Sequence, residues 1–356
     1  MKTRYAIGCM SGTSLDGLDI SYIKVLGEGL EIQVELIDSC SVSISEITEF
    51  FKICIDENAV ELSSILKAAN DFGQLHAKSI KEFIKDRPVD LICVHGQTLY
   101  HKPPLSCQLI NPFVIAKEIN CPVVYDLRGM DLACGGEGAP LTPMSDLIMY
   151  KQKMDTVIIN LGGFSNFTYL PKDLDINKIE GGDICVCNQL LDALYKNNFD
   201  APYDIGGKEA LLGNVNEKLF SEITLQLNKQ AKSKRSLGSN DELKNLLIVT
   251  TEYTIQDQLR TFCEAIAYVI CQNIPTNAEH LIVAGGGACN QALLKALKLF
   301  FKGTVVLSDD YGIPVQERES MGFAVLGVLC QDRIPITLSK ITNKSSHLVS
   351  GAWILP

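Results

Sequence analysis

The pattern of hydrophobic and polar positions along the chain predicts an α/β protein. An apolar run at residues 5–7 and alternating positions at residues 20–25 and 31–36 predict strands, and apolar residues at helical spacing predict one long helix over residues 61–86. Short apolar runs that end at polar residues predict further strands at residues 91–94, 107–110, 123–125, 156–160, 167–170 and 280–284. Further helices are predicted after residue 188 and at residues 112–118, 256–272, 291–297 and 316–329. Polar residues thus gather just beyond strand ends, where open α/β sheets bind their ligands.

The second half of the chain repeats the shape of the first. A strand, a glycine turn and a returning strand over residues 156–170 follow the same plan as residues 5–25. At 356 residues the chain is also longer than one hydrophobic core usually supports. We therefore expect a first domain at residues 1–145, with a C-terminal tail at about residues 345–356 returning to it, and a second domain at residues 146–345. Chance recurrence of glycine hairpins is the alternative interpretation.

The first of these glycine turns, at residues 8–19, carries candidate chemistry. Its glycines let the backbone approach a ligand, its hydroxyls and amides suit phosphate oxygens, and its two aspartates suit a divalent cation bound to that phosphate. The candidate phosphate-binding residues are Ser11, Gly12, Thr13, Ser14, Asp16, Gly17 and Asp19, and the candidate ligands of the cation are Asp16 and Asp19. The Walker motif with its lysine is absent, and a hairpin turn whose polar residues bind only their own backbone is the alternative.

A third glycine turn, at residues 285–287, follows a strand and precedes a helix. Its backbone and the helix amides can approach a flat or phosphorylated ligand, although glycine turns also serve close helix packing. Near the start of the last helix, Glu319 is either a surface charge or a ligand contact. The Lys and Arg cluster within residues 229–246 is more typical of a solvated connection than of a phosphate clamp.

Composition and charge narrow the function classes. Hydrophobic residues make up 46% and charged residues 21%, as in soluble globular proteins. The net charge of -10 is not offset by a basic stripe, which argues against nucleic-acid binding. Thirteen cysteines, scattered singly apart from Cys185 and Cys187, indicate reduced cytoplasmic thiols rather than disulfides or a metal site. The apolar runs are too short to span a membrane, so we expect a cytoplasmic protein without membrane partners.

The residue identities in the glycine turns say more about the protein family than the order of strand, turn and strand does. The segment Gly8–Asp19 closely resembles the signature of the anhydro-N-acetylmuramic acid kinase family, which belongs to the superfamily of acetate and sugar kinases, heat-shock proteins and actin. The resemblance extends over nearly the whole chain. The other segments that carry it are His95–Thr98 with His101, Asp126–Arg128 with Asp131, Gly135–Leu141, Asn160–Thr168, Gly285–Asn290, and Glu319 with Phe323 and Ala324.

This resemblance implies a fold and an activity. The fold is α/β, with two actin-like (ribonuclease H-like) domains that face a central nucleotide and sugar cleft. The activity is that of a kinase that uses ATP, Mg²⁺ and water to open 1,6-anhydro-N-acetylmuramic acid and to phosphorylate its released 6-oxygen. The product, N-acetylmuramic acid 6-phosphate, belongs to the recycling of bacterial cell-wall fragments. The resemblance also implies a homodimer.

The resemblance assigns roles to individual residues as well. Asp183 aligns with the catalytic aspartate, the base that deprotonates the water. Besides the opening turn, the nucleotide contacts that it implies are Asn160, Gly162, Gly163, Gly285, Gly286, Gly287 and Asn290. The sugar contacts that it implies are His95, Gln97, Thr98, Arg128 and Glu319. Arg128 would form a bidentate pair with the lactyl carboxylate. Closure of the domains would exclude water, with residues 135–138 as the predicted hinge.

The chain departs from the family pattern at four segments that shape the sugar side. The family's Thr-Gly-Pro-Gly-Asn after the catalytic aspartate is here Ile184–Asn188, and the loss of two glycines predicts a changed loop shape. The other departures are at residues 110–111, 206 and 235–240. Three interpretations follow: a kinase for the family's own substrate, a kinase for a different anhydro or related sugar, or a non-catalytic homologue that binds nucleotide or sugar. The retained Asp16, Asp19 and Asp183 count against the last.

Overall fold

The chain divides into two compact units. The computed structural model describes residues 2–12, 15, 17–56, 60–233, 252–343 and 348–356. The first unit comprises Met1–Lys151 and Glu317–Pro356, and the second comprises Gln152–Gln316. These limits differ from the expected boundaries at residues 145 and 345, because the helix near the C-terminus joins the first unit rather than the second.

Strands and helices alternate through both units. The strands, in chain order, are β1 (Thr3–Ser11), β2 (Leu18–Leu26), β3 (Gln33–Val42), β4 (Leu91–Val94), β5 (Gln97–Lys102), β6 (Leu105–Leu109), β7 (Val123–Tyr125), β8 (Thr156–Leu161), β9 (Phe164–Leu170), β10 (Glu180–Val186), β11 (His280–Ala284), β12 (Thr304–Leu307) and β13 (Ala352–Ile354). The helices are α1 (Ser45–Asp56), α2 (Leu62–Ile84), α3 (Pro112–Ile119), α4 (Gly129–Ala133), α5 (Thr142–Met149), α6 (Asn188–Lys196), α7 (Lys208–Leu212), α8 (Glu217–Ser233), α9 (Ile255–Asn273), α10 (Gln291–Phe300), α11 (Arg318–Gln331) and α12 (Ser339–Thr342). None of the helices in these described segments combines the length and the apolar character that a membrane crossing requires.

The two units share one strand plan. In the first, the sheet has the order β13-β7-β4-β1-β2-β3, where β1 pairs antiparallel with β2 and parallel with β4. In the second, the order is β10-β9-β8-β11-β12, where β8 pairs antiparallel with β9 and parallel with β11. Three antiparallel strands followed by two parallel ones form the ribonuclease H-like arrangement. The predicted fold class, α/β with two actin-like units, is therefore confirmed, and β13 adds a strand from the C-terminal tail to the first sheet.

Helix α11 lies directly across β1 in the first unit. A Cβ atom added to Gly8 would stand 2.0 Å from the carbonyl oxygen of Ser320, so only glycine allows this approach. The Ser320 and Ser21 hydroxyls are 2.7 Å apart, and Arg318 forms a fully buried ion pair with Asp146 of α5. Backbone contact and buried polar pairing together fix α11 on the first sheet, which explains why this helix does not belong to the second unit.

The hydrophobic pattern locates most elements to within a few residues. The long helix predicted over residues 61–86 is α2, and the strands predicted at 123–125 and 280–284 are β7 and β11. The pattern did not predict helices α1 and α8, and α8 includes residues 229–233 of the predicted solvated connection. After Gly181, where a loop is expected, the structure has β10 continuing to Val186. Residues 185–187 are apolar in place of the family's glycines and proline, and they are buried, which favours an extended, core-facing segment.

Candidate active site

The first unit carries the opening hairpin turn. Strand β1 ends at Ser11, whose hydroxyl is buried and has no hydrogen-bond partner within the described part of the chain. The carbonyl of Gly12 accepts hydrogen bonds from the Leu15 amide at 3.2 Å and from Nε2 of Gln97 at 3.4 Å. An unpaired hydroxyl beside a held loop is a donor suited to a phosphate oxygen. Thr13, Ser14 and Asp16 of the predicted site lie outside the described residues, as do residues 235–240.

Three carboxylates of the first unit influence one another electrostatically. Asp19 is half-buried on β2, just beyond Gly17, and its charge adds to the burial that raises the pKa of Glu317 and of Glu319. Glu317 also accepts hydrogen bonds from the Ser320 hydroxyl at 3.0 Å and from the Ser21 hydroxyl at 3.3 Å. In the segments that the structure describes, no three or more His, Cys, Asp or Glu side chains form a ready metal cage. Carboxylate oxygens nevertheless suit Mg²⁺, which usually takes one or two of them together with phosphates and water.

Arg128 and His95 form the centre of the predicted sugar side. The Arg128 Nε and Nη2 atoms lie 3.2 and 3.0 Å from Nε2 of His95, while Nδ1 of His95 lies 2.8 Å from the Gly96 carbonyl. Burial first, and then the Arg128 charge, lower the pKa of His95 to about 3. His95 is therefore neutral, with its proton on Nδ1 and its Nε2 lone pair directed at the guanidinium.

The other end of Arg128 is held by the loop that was predicted as a hinge. Its Nη1 donates to the Gly138 carbonyl at 2.8 Å. The Gly138 amide in turn donates to buried Asp131 at 2.7 Å, which also accepts from the Thr342 hydroxyl at 2.8 Å. Residues 135–138 are thus held by hydrogen bonds inside the first unit, and the chain passes from one unit to the other at Lys151–Gln152 and Gln316–Glu317. The hinge at residues 135–138 stays a prediction.

Two further predicted sugar residues lie on the small β5–β6 sheet. Gln97 is fully buried, and its Oε1 has no hydrogen-bond partner in the described segments. Thr98 accepts from Nε2 of Gln108 at 3.4 Å. His101, which the sequence motif contains but to which no role is assigned, has a pKa lowered to about 4, first by burial and then by Arg128. The structure thus brings His95, Gln97 and Arg128 into one neighbourhood with the opening turn.

In the second unit, Asp183 belongs to a row of residues that crosses the sheet. It lies opposite Asn166 on β9, Asn166 lies opposite Asn160 on β8, and Asn160 lies beside Ala284 on β11. Because directly paired residues of antiparallel strands project to the same face, Asp183, Asn166 and Asn160 share one side of the sheet. Gly285, the first residue of the third glycine turn, follows Ala284 directly. The candidate base is therefore aligned with the two glycine turns of this unit.

The altered segment after Asp183 belongs to the hydrophobic core. A β-bulge falls between Asp183 and Cys185, and the four residues Ile184–Cys187 are all buried. The Ser165 hydroxyl donates to the Cys185 carbonyl at 3.0 Å, and burial raises the pKa of the Cys185 thiol to about 12. Both cysteines pack within the core cluster of the second unit. The predicted change of loop shape is thus a strand with a bulge.

In the third glycine turn, at residues 285–287, two glycines allow close packing and one faces open space. A Cβ added to Gly285 would stand 2.6 Å from Oδ1 of Asn160, and one added to Gly287 would stand 2.7 Å from Oδ1 of Asn188, so both glycines are needed for close packing. A Cβ on Gly286 would have only one neighbour, at 3.9 Å. Asn290 caps α10 by accepting from the Ala292 and Leu293 amides at 3.0 and 3.1 Å. Gly286 is therefore the open position of this turn.

Besides His101, three residues near the predicted site have no role assigned from the sequence: Asn166, Asn188 and Asp131. Asn166 joins Asn160 to Asp183, and its position could be read from the alternation along β9 once the hairpin register was known. Asn188 donates to the Leu161 carbonyl and Asp131 accepts from the Thr342 hydroxyl, and both partners are distant in sequence. No local pattern identifies such partners.

Two ribonuclease H-like units, each with a glycine hairpin at its first strand, define the class of actin-like ATPases and sugar kinases. A sequence profile described as anhydro-N-acetylmuramic acid kinase matches residues 4–356. The chain therefore belongs to the anhydro-N-acetylmuramic acid kinase family. Its enzyme class is that of the ATP-dependent sugar kinases, as the sequence predicts.

Individual relatives span the whole chain. It is 30% identical to an anhydro-N-acetylmuramic acid kinase of Bacillus cereus, with 99% of each chain covered. It is 31% identical to that of Hahella chejuensis, with 97% of each covered. Among solved structures, the activator of the 2-hydroxyisocaproyl-CoA dehydratase from Clostridium difficile with bound ADPNP is 13% identical, with a TM-score of 0.47 and coverage of 91% of this chain and 94% of that one.

Proposed function

We propose that this enzyme uses ATP, Mg²⁺ and water to convert 1,6-anhydro-N-acetylmuramic acid into N-acetylmuramic acid 6-phosphate during cell-wall recycling. Family membership supports the reaction class. The observation that carries the assignment to this chain is the cross-strand row that aligns Asp183 with Asn160 and the glycine turns. The segment that departs from the family pattern begins only after Asp183, and its side chains are buried in the core.

In this proposal Asp183 is the base. It takes a proton from water, whose oxygen forms a bond to the anomeric carbon while the bond from that carbon to the 6-oxygen breaks. The released 6-oxygen attacks the γ-phosphorus of ATP, and ADP leaves. A positioned base typically contributes ~10²–10⁴-fold in rate.

The proposed nucleotide contacts lie in the glycine turns. In the opening turn, phosphate would be bound by Ser11, Gly12, Thr13, Ser14 and Gly17. Asn160, Gly162 and Gly163 would supply the second turn, and Gly285–Gly287 with Asn290 would border the adenosine. Backbone amides in such turns are well suited to phosphate oxygens.

Asp19 and Asp16 would hold Mg²⁺. When bound, this cation neutralises part of the phosphate charge. Burial first, and then the charge of Asp19, raise the pKa of Glu317 and of Glu319, so these carboxylates lie within the electrostatic reach of Asp19. A bound cation would reduce that repulsion.

The sugar would bind on the first unit. Arg128, which His95 and Gly138 orient, would pair with the lactyl carboxylate. The Gln97 Oε1 atom, which lacks a described partner, would accept from a sugar hydroxyl or amide. Thr98 and Glu319 complete the proposed contacts.

We also propose that the enzyme is a cytoplasmic homodimer. All thirteen cysteines lie in described segments and are free thiols, which suits a reducing compartment. Light scattering after size-exclusion chromatography would test the dimer, and a monomer at micromolar concentration would contradict it.

Turnover tests the reaction. Purified enzyme would receive ATP, Mg²⁺ and 1,6-anhydro-N-acetylmuramic acid, with levoglucosan and N-acetylmuramic acid in parallel, and ADP release would be followed. We expect turnover with the first sugar alone. Incorporation of one ¹⁸O atom from labelled water at the anomeric position would establish the hydrolytic step. ATP binding without turnover of any sugar would overturn the proposal.

A further inference from the structure

Asn188, the first residue of α6, contacts both glycine turns of the second unit. Its Nδ2 donates to the Leu161 carbonyl at 2.8 Å, and its backbone amide donates to the Gly162 carbonyl at 3.0 Å. Its Oδ1 lies so close to Gly287 that a Cβ there would stand 2.7 Å away. This chain keeps the asparagine of the family pattern at position 188, whereas its four preceding residues differ from that pattern. None of the roles assigned above belongs to it.

These two hydrogen bonds fix the orientation of two successive peptide planes. In a trans peptide the carbonyl and the amide N–H point in opposite directions. Because Asn188 holds the Leu161 carbonyl, the Gly162 N–H of the same peptide is directed away from α6. Because Asn188 also holds the Gly162 carbonyl, the Gly163 N–H is directed away in the same manner.

The neighbouring amides of α6 complete this arrangement. The Cys187 and Gln189 amides donate to the Gly163 carbonyl at 2.8 and 3.3 Å. The first amides of a helix are usually free to bind an anion, but here they hold the carbonyls of the turn. The start of α6 is therefore a support for the turn, and the turn's own amides remain for the ligand.

We propose that Asn188 is a positioning residue that presents the Gly162 and Gly163 amides to a nucleotide phosphate and keeps the second and third glycine turns in register. This inference rests on the proposed function. Glycine peptides have wide conformational freedom, so their orientation depends on such an external partner. The substituted segment before Asn188 then changes the core while preserving the phosphate turn.

The test compares two substitutions at Asn188 with a matched control at Asn198, just beyond the other end of α6. Asn188→Ala removes the side-chain bond, and Asn188→Asp keeps the volume but opposes the Leu161 carbonyl with a carboxylate oxygen. Asn198→Ala is the control, since Asn198 Nδ2 donates to the Leu194 carbonyl at 2.9 Å near the other end of α6. ADP affinity without sugar would be measured by calorimetry, and KM for ATP and for sugar by turnover.

We expect the Kd for ADP and the KM for ATP to rise about tenfold in Asn188→Ala, the effect of one net hydrogen bond, and further in Asn188→Asp. The KM for sugar and the ADP affinity of Asn198→Ala should stay within about twofold of wild type. Folded Asn188 variants that bind ADP as wild type does would overturn this inference. Wild-type enzyme without ADP affinity would instead contradict the proposed function.

Discussion

Asp183 faces Asn166 across the ladder between β9 and β10, at the last regular position before the bulge. This pairing sets the side chain of the candidate base on the face that carries Asn160. A shift of one residue would turn Asp183 to the opposite face. The bulge follows Asp183 rather than preceding it, so the register that orients Asp183 is set before the altered residues 184–187.

Asp183→Asn should lower kcat by ~10²–10⁴-fold, because the amide cannot take the proton from water. The Kd for ADP should stay within a few-fold, since the side chain remains the same size. ADP release and calorimetry measure the two quantities. Asp309→Asn, at an exposed carboxylate of the same unit, is the control and should keep full activity. Turnover that survives Asp183→Asn would assign the base elsewhere.

Arg128→Lys should raise KM for 1,6-anhydro-N-acetylmuramic acid about 10–100-fold, because lysine cannot replace a bidentate guanidinium. The same change should affect 1,6-anhydro-N-acetylglucosamine much less, since that sugar lacks the lactyl carboxylate. Steady-state kinetics with both sugars measure the difference. Arg87→Lys, at a surface pair with Asp38, is the control. An equal rise in KM for the two sugars would mean that Arg128 does not pair with the lactyl carboxylate.

Stability should fall as the pH falls below about 6.5. Burial lowers the pKa of His76 to about 4 and is the first cause of the lowering of the pKa of His95 to about 3. The unfolded chain therefore binds more protons than the native one between these values and the ordinary histidine pKa, so acid favours unfolding. Each histidine contributes a slope of about 1.4 kcal/mol per pH unit.

Urea denaturation between about pH 6 and about pH 5, below the ordinary histidine pKa, measures that slope. His76→Gln cannot be protonated, so its free energy of unfolding should decline less steeply by about 1.4 kcal/mol per pH unit, whatever its stability at neutral pH. An unchanged slope in this variant would mean that His76 is protonated in the native protein.

Bound nucleotide should protect Cys289 from alkylation. Cys107 and Cys289 are the exposed thiols among the thirteen cysteines, and Cys289 belongs to the turn that follows Gly285. Iodoacetamide labelling followed by mass spectrometry gives both rates in one sample. ADP should slow the labelling of Cys289 several-fold, while Cys107 reports the unchanged reactivity of an exposed thiol. Equal rates with and without saturating ADP would remove the third turn from the nucleotide site.

The buried Arg318–Asp146 pair should be essential for the stability of the first unit. Arg318→Met leaves the Asp146 carboxylate buried without its cation, and we expect a loss of about 3–5 kcal/mol in the free energy of unfolding. The double variant Asp146→Leu with Arg318→Met should recover most of this loss, because no isolated charge remains. Chemical denaturation of the three proteins measures both effects. If the double variant is as unstable as the single one, the loss of free energy of unfolding comes from packing rather than from the buried charge.

The sequence by itself determined the elements and the class of chemistry. Helical periodicity located α2 and a short apolar run located β7, and the hydroxyl-rich turn at residues 8–19 indicated phosphate binding. The resemblance of its motifs identified the family. These properties depend on residues that are near one another in the chain.

Tertiary structure alone decided which distant residues meet. The transfer of α11 to the first unit depends on the contact between Gly8 and Ser320, which lie near opposite ends of the chain. The conversion of the segment after Asp183 into a core strand depends on Ser165, and the orientation of the phosphate turn depends on Asn188. Each is a hydrogen bond or a close contact whose partner is chosen by the packing of the sheet, so no local pattern encodes it.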